Sequence, residues 1–303
     1  MGYTTLRNRD ASRKELILSY TGQLSPRAKE DGRLRLHPRF PSRYLSTPRD
    51  VLVYLPPGYD KSDARYPVLY MQDGQNLFDP ATAFFGNEWR ADIVADDEIR
   101  GGRVEPLIIV GLYNTGVRRI SEYTPTRDQR TRKGGKAERY AMMLAREIKP
   151  FIDHTYRTRK SVNDAGVGGS SLGALVSLVA GLHYPRVFGK LALMSPSVWW
   201  NELSILSLIE AWKPIRPQRV WLDTGTNEGN NPAKVVVDAR LMCDALLAKG
   251  YELHYEEAQG AQHNEAAWSA RFGAVLEYLF PAGVAESPAG RRRMPLRNPA
   301  SSP

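Results

Sequence analysis

The 303-residue chain has one cysteine, Cys243. A single thiol forms no intrachain disulfide, which excludes a disulfide-stapled scaffold and any zinc site built on paired cysteines and suits a reducing compartment. No apolar run approaches the ~18 residues that cross a bilayer. Residues 1–10 are polar and lack the apolar stretch of a secretory signal. The expectation is a cytoplasmic protein without a membrane partner. The sequence also lacks metal-ligand spacing, a dinucleotide-binding glycine fingerprint, a Gly-Lys-Ser/Thr phosphate loop and internal repeats, so no cofactor is expected. What is present is ordinary for a soluble globular protein: 42% hydrophobic and 25% charged residues, ample for a core.

The net charge of +9 is unevenly spread. Residues 1–49 carry +7, residues 286–303 carry +3, and the body between them carries −1. The basic character is terminal, and no helix-turn-helix, finger or aromatic-basic sheet pattern accompanies it, so no nucleic-acid partner is expected. Residues 1–49, broken by Pro26, Pro38, Pro41 and Pro48, read as an Arg-rich irregular extension with a short strand over 15–20. Residues 284–303 read as a disordered basic tail, leaving 50–283 as the folded domain.

Within that body the apolar pattern alternates. Strands are expected over 51–55, 68–71, 107–112, 165–168, 191–194, 220–222 and 251–256. Helices are expected over 89–99, 140–154, 171–182, 234–249 and 266–280, with Gly250 and Pro281 as stops. The run 107–112 is apolar throughout, as in a strand covered on both faces. Such alternation implies an α/β protein with a mostly parallel central sheet and helices on both faces. The connection 113–139 has no clear period, and unpatterned loops of that length are usually functional.

Gly169-Ser170-Ser171-Leu172-Gly173 follows a short strand and opens an apolar helix. That is the setting of a nucleophile elbow. The sharp turn strains the central serine and projects its hydroxyl at a helix N-terminus, where partial positive charge favours a developing anion. Ser171 is in register; Ser170 is not, because Leu172 stands two residues on. A serine nucleophile needs a base, and in the order Ser, acid, His only His254 and His263 come late enough. His254 lies within a strand pattern. His263 lies in the polar loop between the last strand and the last helix and is preferred. Two carboxylates, Asp223 at a strand end and Glu228 in the following loop, are both placed to orient the imidazole, and the residue pattern does not separate them; a Ser–His dyad is the third option. The oxyanion donors are expected to be the backbone N–H of Leu172 and of Gln75, which follows Asp73-Gly74 at an early strand end.

At this point the chain resembles the esterase D-like putative esterase family of α/β-hydrolases, which includes family 1 carbohydrate esterases, trilactone siderophore esterases and mycolyltransferases. The likeness runs over about 50–280. It is carried by Val53-Tyr-Leu-Pro-Pro-Gly-Tyr59, Tyr66-Pro-Val-Leu-Tyr-Met-Gln-Asp-Gly-Gln-Asn-Leu-Phe78, Arg119-Ile-Ser-Glu-Tyr-Thr-Pro125, Lys149-Pro-Phe-Ile-Asp153, the elbow, and Leu193-Met-Ser-Pro-Ser-Val-Trp-Trp200. The resemblance implies an α/β-hydrolase fold and an acid in a Gly-Thr-x-Glu loop, here Gly225-Thr226-Asn227-Glu228, which favours Glu228. It also implies Gln75 as second oxyanion donor and a catalytic histidine shortly before a tryptophan, here His263 and Trp268. Ala174 stands where many members carry a second glycine.

Trp199, Trp200, Trp89, Asn76 and Arg119 are the candidates for substrate contact, the tryptophans with packing as the alternative role. Residues 118–139 hold 8 Lys/Arg and 3 Asp/Glu, the makings of a gate for an anionic substrate or of a plain solvated loop. The expected activity is serine-dependent hydrolysis of small carboxylic esters through an acyl-enzyme. An acyltransferase, a trilactone esterase and a non-catalytic binding module are the alternatives.

Overall fold

A computed structural model describes residues 32–213 and 218–283. The chain enters with β1 (Leu34–Phe40) and β2 (Arg49–Tyr54), continues through β3 (Val68–Gln72) to helix α1 (Ala91–Arg100), and returns as β4 (Ile108–Leu112). Helices α2 (Arg119–Tyr123) and α3 (Ala137–Met143) follow, then a π-helical turn over Leu144–Ile148 and α4 (Lys149–Thr155). Next come β5 (Ala165–Ser170), α5 (Leu172–His183), β6 (Lys190–Met194), α6 (Ser204–Ala211), β7 (Arg219–Gly225), α7 (Pro232–Ala248), β8 (Glu252–Ala258) and α8 (Glu265–Leu279).

The strands form one eight-stranded sheet in the order β1-β2-β4-β3-β5-β6-β7-β8. Pairings from β4 across to β8 are parallel, whereas β1–β2 and β2–β4 are antiparallel. Alternation along β2 shows the layering: Val51 and Val53 face one core with Tyr70, Val110, Leu175 and Leu193, and Leu52 and Tyr54 face the other with Met71, Ile109, Phe272 and Phe280. Helix α5 is buried from Leu172 to Leu182, as an apolar sequence without a polar face requires. Its strand β5 is built largely from small residues, which lets neighbouring layers approach. Gly250, in the left-handed region at φ 79°, ends α7 as the sequence predicts.

The sheet starts earlier than the pattern suggests. Leu34–Phe40 lies inside the segment expected to be irregular, yet pairs with β2 at the sheet edge. Pro38 is accommodated where the register shifts between His37 and Phe40, and an edge strand tolerates its missing N–H. Just before β1, Arg33 forms a two-armed pair with Asp96, which also accepts from the Tyr54 hydroxyl. The strand expected over 15–20 and the tail from 284 lie outside the described residues. Helix α6 is absent from the expected pattern, and the connection 113–139 contains α2 and a bridge between Arg127 and Gly134. Among the described residues no helix is long and apolar enough to cross a membrane.

Candidate active site

The parallel strands all end on one edge of the sheet, and the candidate residues leave from that edge: Gln75 after β3, Ser171 after β5, Glu228 after β7 and His263 after β8. Ser171 has φ 59° and ψ −124°, a strained conformation between β5 and α5. The glycines on either side sit where a side chain would be crowded. A Cβ on Gly169 would sit 3.0 Å from the Gln72 Cβ, and one on Gly173 would sit 3.1 Å from the same atom. The elbow is thus pressed against the end of β3, which also leads into the turn that carries Gln75.

Ser171 Oγ lies 2.9 Å from His263 Nε2, and His263 Nδ1 lies 2.8 Å from Glu228 Oε2. An ionised carboxylate only accepts, so Nδ1 carries the proton and Nε2 is free to accept from the serine hydroxyl. Glu228 is buried, and its other oxygen accepts from the Ser195 hydroxyl at 2.5 Å and the Gly225 N–H at 2.7 Å. Burial pushes this carboxyl up, but hydrogen bonds from His263, Ser195 and Gly225 outweigh it and hold it below its ordinary range. The His263 side chain is 33% exposed and stands immediately before Asn264, which caps α8 by accepting from the Ala267 N–H. The Trp268 ring meets the imidazole edge to face at 5.0 Å.

Asp223, the other carboxylate in reach by sequence, is fully buried and engaged elsewhere. It pairs with Arg271 at 2.9 Å and accepts from Trp221 Nε1 at 2.8 Å. His254 stacks on Trp221 along the edge strand and takes no part in the elbow's contacts. Leu172 is the first residue of α5 and Gln75 lies in the first turn of a 3₁₀ helix over Gly74–Asn76, so neither N–H has an acceptor within its own helix. The Gln75 turn is anchored: Thr82 Oγ1 donates to the Gln75 carbonyl, and Gln75 Oε1 accepts from the Asn114 N–H. Beside it Arg119 grips Asp73 with two bonds of 2.7 Å.

The five residues expected to touch substrate separate. Trp199 is 57% exposed, two residues beyond Ser197, whose hydroxyl is 3.0 Å from Ser171 Oγ. Arg119 is half-buried in its pair with Asp73. Trp200 is buried, and its Nε1 donates to the Thr126 carbonyl. Trp89 is buried between Trp268 and Phe272, and Asn76 is buried while bonding Glu265 and the Phe84 N–H. Trp89, Trp200 and Asn76 are thus packed residues with little exposed surface. The residue pattern does not single out Ser195, Ser197 or Arg271. Their signals in the sequence are two serines flanking Pro196 after a strand, and an arginine at core spacing beside Trp268 and Phe272. Among the described residues no cluster of His, Cys, Asp or Glu is disposed to hold a metal ion.

A family model described as putative esterase matches residues 42–279. The uncharacterized protein YbbA of Bacillus subtilis is 26% identical over 251 residues, covering 79% of this chain and 95% of that one. The endo-1,4-beta-xylanase/feruloyl esterase of Xylanibacter ruminicola is 26% identical over 234 residues, 75% of this chain but only 29% of that longer protein. Among solved structures, the enterobactin esterase of Shigella flexneri superposes with a TM-score of 0.64 at 18% identity, covering 81% of this chain and 58% of that one.

Proposed function

The chain belongs to the putative esterase family, and from that premise we propose that this esterase is a serine carboxylic-ester hydrolase whose triad is Ser171, His263 and Glu228. Its fold is the α/β-hydrolase fold. The observation that carries the reading is the unbroken chain of contacts from Ser171 Oγ through the His263 ring to the Glu228 carboxylate, at 2.9 and 2.8 Å.

In this reading Ser171 Oγ attacks the ester carbonyl carbon as its proton passes to His263 Nε2. Glu228 accepts from Nδ1–H and stabilises the imidazolium without taking the proton. The carbonyl oxygen, now anionic, is held by the Leu172 and Gln75 N–H groups; one such donor is typically worth about 3–4 kcal/mol in the transition state. The intermediate collapses, the C–O bond to the alcohol breaks, and Nε2–H protonates the leaving oxygen. Water then attacks the acyl-enzyme while His263 takes its proton, and the acid departs as Ser171 regains its hydrogen.

The proposed substrates are small soluble esters of the short-acyl, acetyl-sugar or feruloyl-sugar kind, supported by the feruloyl esterase named among the relatives and by the exposed Trp199, two residues beyond the Ser197 that meets Ser171. A siderophore trilactone is the second reading, favoured by the excess positive charge over 118–139, which attracts an anionic ester. An acyltransferase would use the same residues with a hydroxyl acceptor in place of water. The proposed location is the cytoplasm, where the buried free thiol of Cys243 is stable.

A p-nitrophenyl ester series from acetate to octanoate, run with wild type and Ser171→Ala, tests the reading. The expected result is hydrolysis that falls at least about 10⁴-fold in the variant while its thermal unfolding is unchanged. An active Ser171→Ala removes the serine mechanism.

A further inference from the structure

Ser195 lies outside the proposed triad, yet its hydroxyl makes three hydrogen bonds in a fully buried setting. It sits just past β6 with φ 42°, and its N–H extends the ladder to β7 by donating to the Asp223 carbonyl at 2.9 Å. The conformation turns Oγ toward the loop that carries Glu228. Trp268 Nε1 and Arg271 Nη2 both donate to Ser195 Oγ, each at 3.0 Å. Neither group can accept. A hydroxyl has two lone pairs and one proton, so with both acceptor positions filled the proton has a single destination, Glu228 Oε1, 2.5 Å away.

The direction of this bond has two consequences. First, one of the donors is a guanidinium, held in place by its own pair with buried Asp223, and a cationic donor polarises the O–H it bonds. Second, Oε1 is pinned by Ser195 and by the Gly225 N–H, which leaves Oε2 as the oxygen facing His263. The carboxylate cannot rotate away from the ring without breaking two bonds in a dry environment. Ser197, two residues on, is separate from this network: its hydroxyl meets Ser171 Oγ.

We propose that Ser195 is a positioning residue for the triad carboxylate, directing its only proton to Glu228 Oε1, and that the buried Arg271–Asp223 pair is the anchor that fixes that direction. The proposal rests on the triad reading given above. It also gives Asp223 a role, since Asp223 holds Arg271, which holds Ser195, which holds the acid.

A double-mutant cycle with Ser195→Ala, Glu228→Gln and the combined variant tests it, with kcat and KM for p-nitrophenyl acetate measured across pH and thermal unfolding followed alongside. Ser195→Ala is expected to lower kcat about 10–100-fold with KM little changed, the size typical of losing a group that orients a reacting residue. The acid limb of kcat/KM is expected to move to higher pH, because that limb follows the state of the general base and a Glu228 carboxylate deprived of a donor favours the protonated His263 ring more strongly. In the Glu228→Gln background the same change is expected to cost less than about twofold, since there is no longer an anion to orient. An equal cost in both backgrounds, or an unmoved pH profile, overturns the proposal while leaving the triad intact. Full activity in Glu228→Gln alone overturns the triad reading and the proposal with it. If Ser195→Ala does not fold, Ser195→Gly removes the same hydroxyl at a positive φ that glycine adopts readily, with the same outcomes expected.

Discussion

The His263 imidazole reaches Glu228 at 2.8 Å, whereas Asp223, five positions earlier and still within β7, spends its oxygens on Arg271 and Trp221. Two carboxylates in one short stretch therefore differ in role: one is aimed at a ring in an open site, the other neutralises a buried cation.

That division predicts different failures. Glu228→Gln is expected to lower kcat by something on the order of 10⁴-fold, as when a triad acid is made neutral, with the midpoint of thermal unfolding little changed. Asp223→Asn strands the Arg271 charge in the interior and is expected to cost about 3–5 kcal/mol of stability. Steady-state kinetics and denaturant titration of both variants decide it. A larger kcat loss in Asp223→Asn, at retained stability, would hand the acid role to Asp223.

The Glu228 carboxyl has a pH signature in stability as well. Burial raises its proton affinity, but the bonds from His263, Ser195 and Gly225 lower it further than burial raises it. A carboxyl held below its unfolded range stabilises the fold above that range, and the contribution is lost as pH falls through the folded value. Wild type should therefore lose more stability than Glu228→Gln between about pH 6 and about pH 3. Urea midpoints of the two proteins across that interval check the sign; parallel curves would show that the carboxylate gains nothing from its donors.

Trp199 and Trp200 are neighbours with opposite surroundings, one 57% exposed and the other buried against Thr126. Trp199→Ala should change KM and the preference among ester chain lengths while leaving stability within about 0.5 kcal/mol. Trp200→Ala should cost about 3–5 kcal/mol, the usual penalty for emptying a buried indole position. Chemical denaturation and the ester series, applied to both, test the contrast.

Lys190 begins β6 with its ammonium 4.0 Å over the Phe280 ring, and burial pushes its pKa down to about 8 despite nearby Glu105 and Asp164. The unfolded chain keeps that proton up to about pH 10. Between these values the unfolded state binds the extra proton, so this group makes stability rise with pH. Lys190→Met is expected to raise Tm at pH 7 and to narrow its advantage over wild type as pH goes from about 8 to about 10. A constant difference over that interval would mean the ammonium is not penalised by the fold.

The sequence by itself determined what depends on neighbours along the chain. A strand, five residues Gly-Ser-Ser-Leu-Gly and an apolar helix dictate the elbow, because its strain and its glycines are local requirements met within a few residues. The strand and helix alternation dictated a mostly parallel sheet, and with it the edge from which Gln75, Ser171, Glu228 and His263 emerge. What pairs across the fold was not legible. The residue pattern leaves Asp223 and Glu228 open, and the family resemblance, not spacing, favours the second. Only the packing of α8 on the sheet brings Arg271 to Asp223 across 48 positions and to Ser195 across 76. The same holds for β1, whose Arg-rich, proline-broken sequence looks irregular until β2 supplies its partner, and for Trp89, Trp200 and Asn76, whose polar or aromatic character alone suggests a rim. Burial and pairing are properties of which surfaces meet, and those surfaces exist only once the layers have closed.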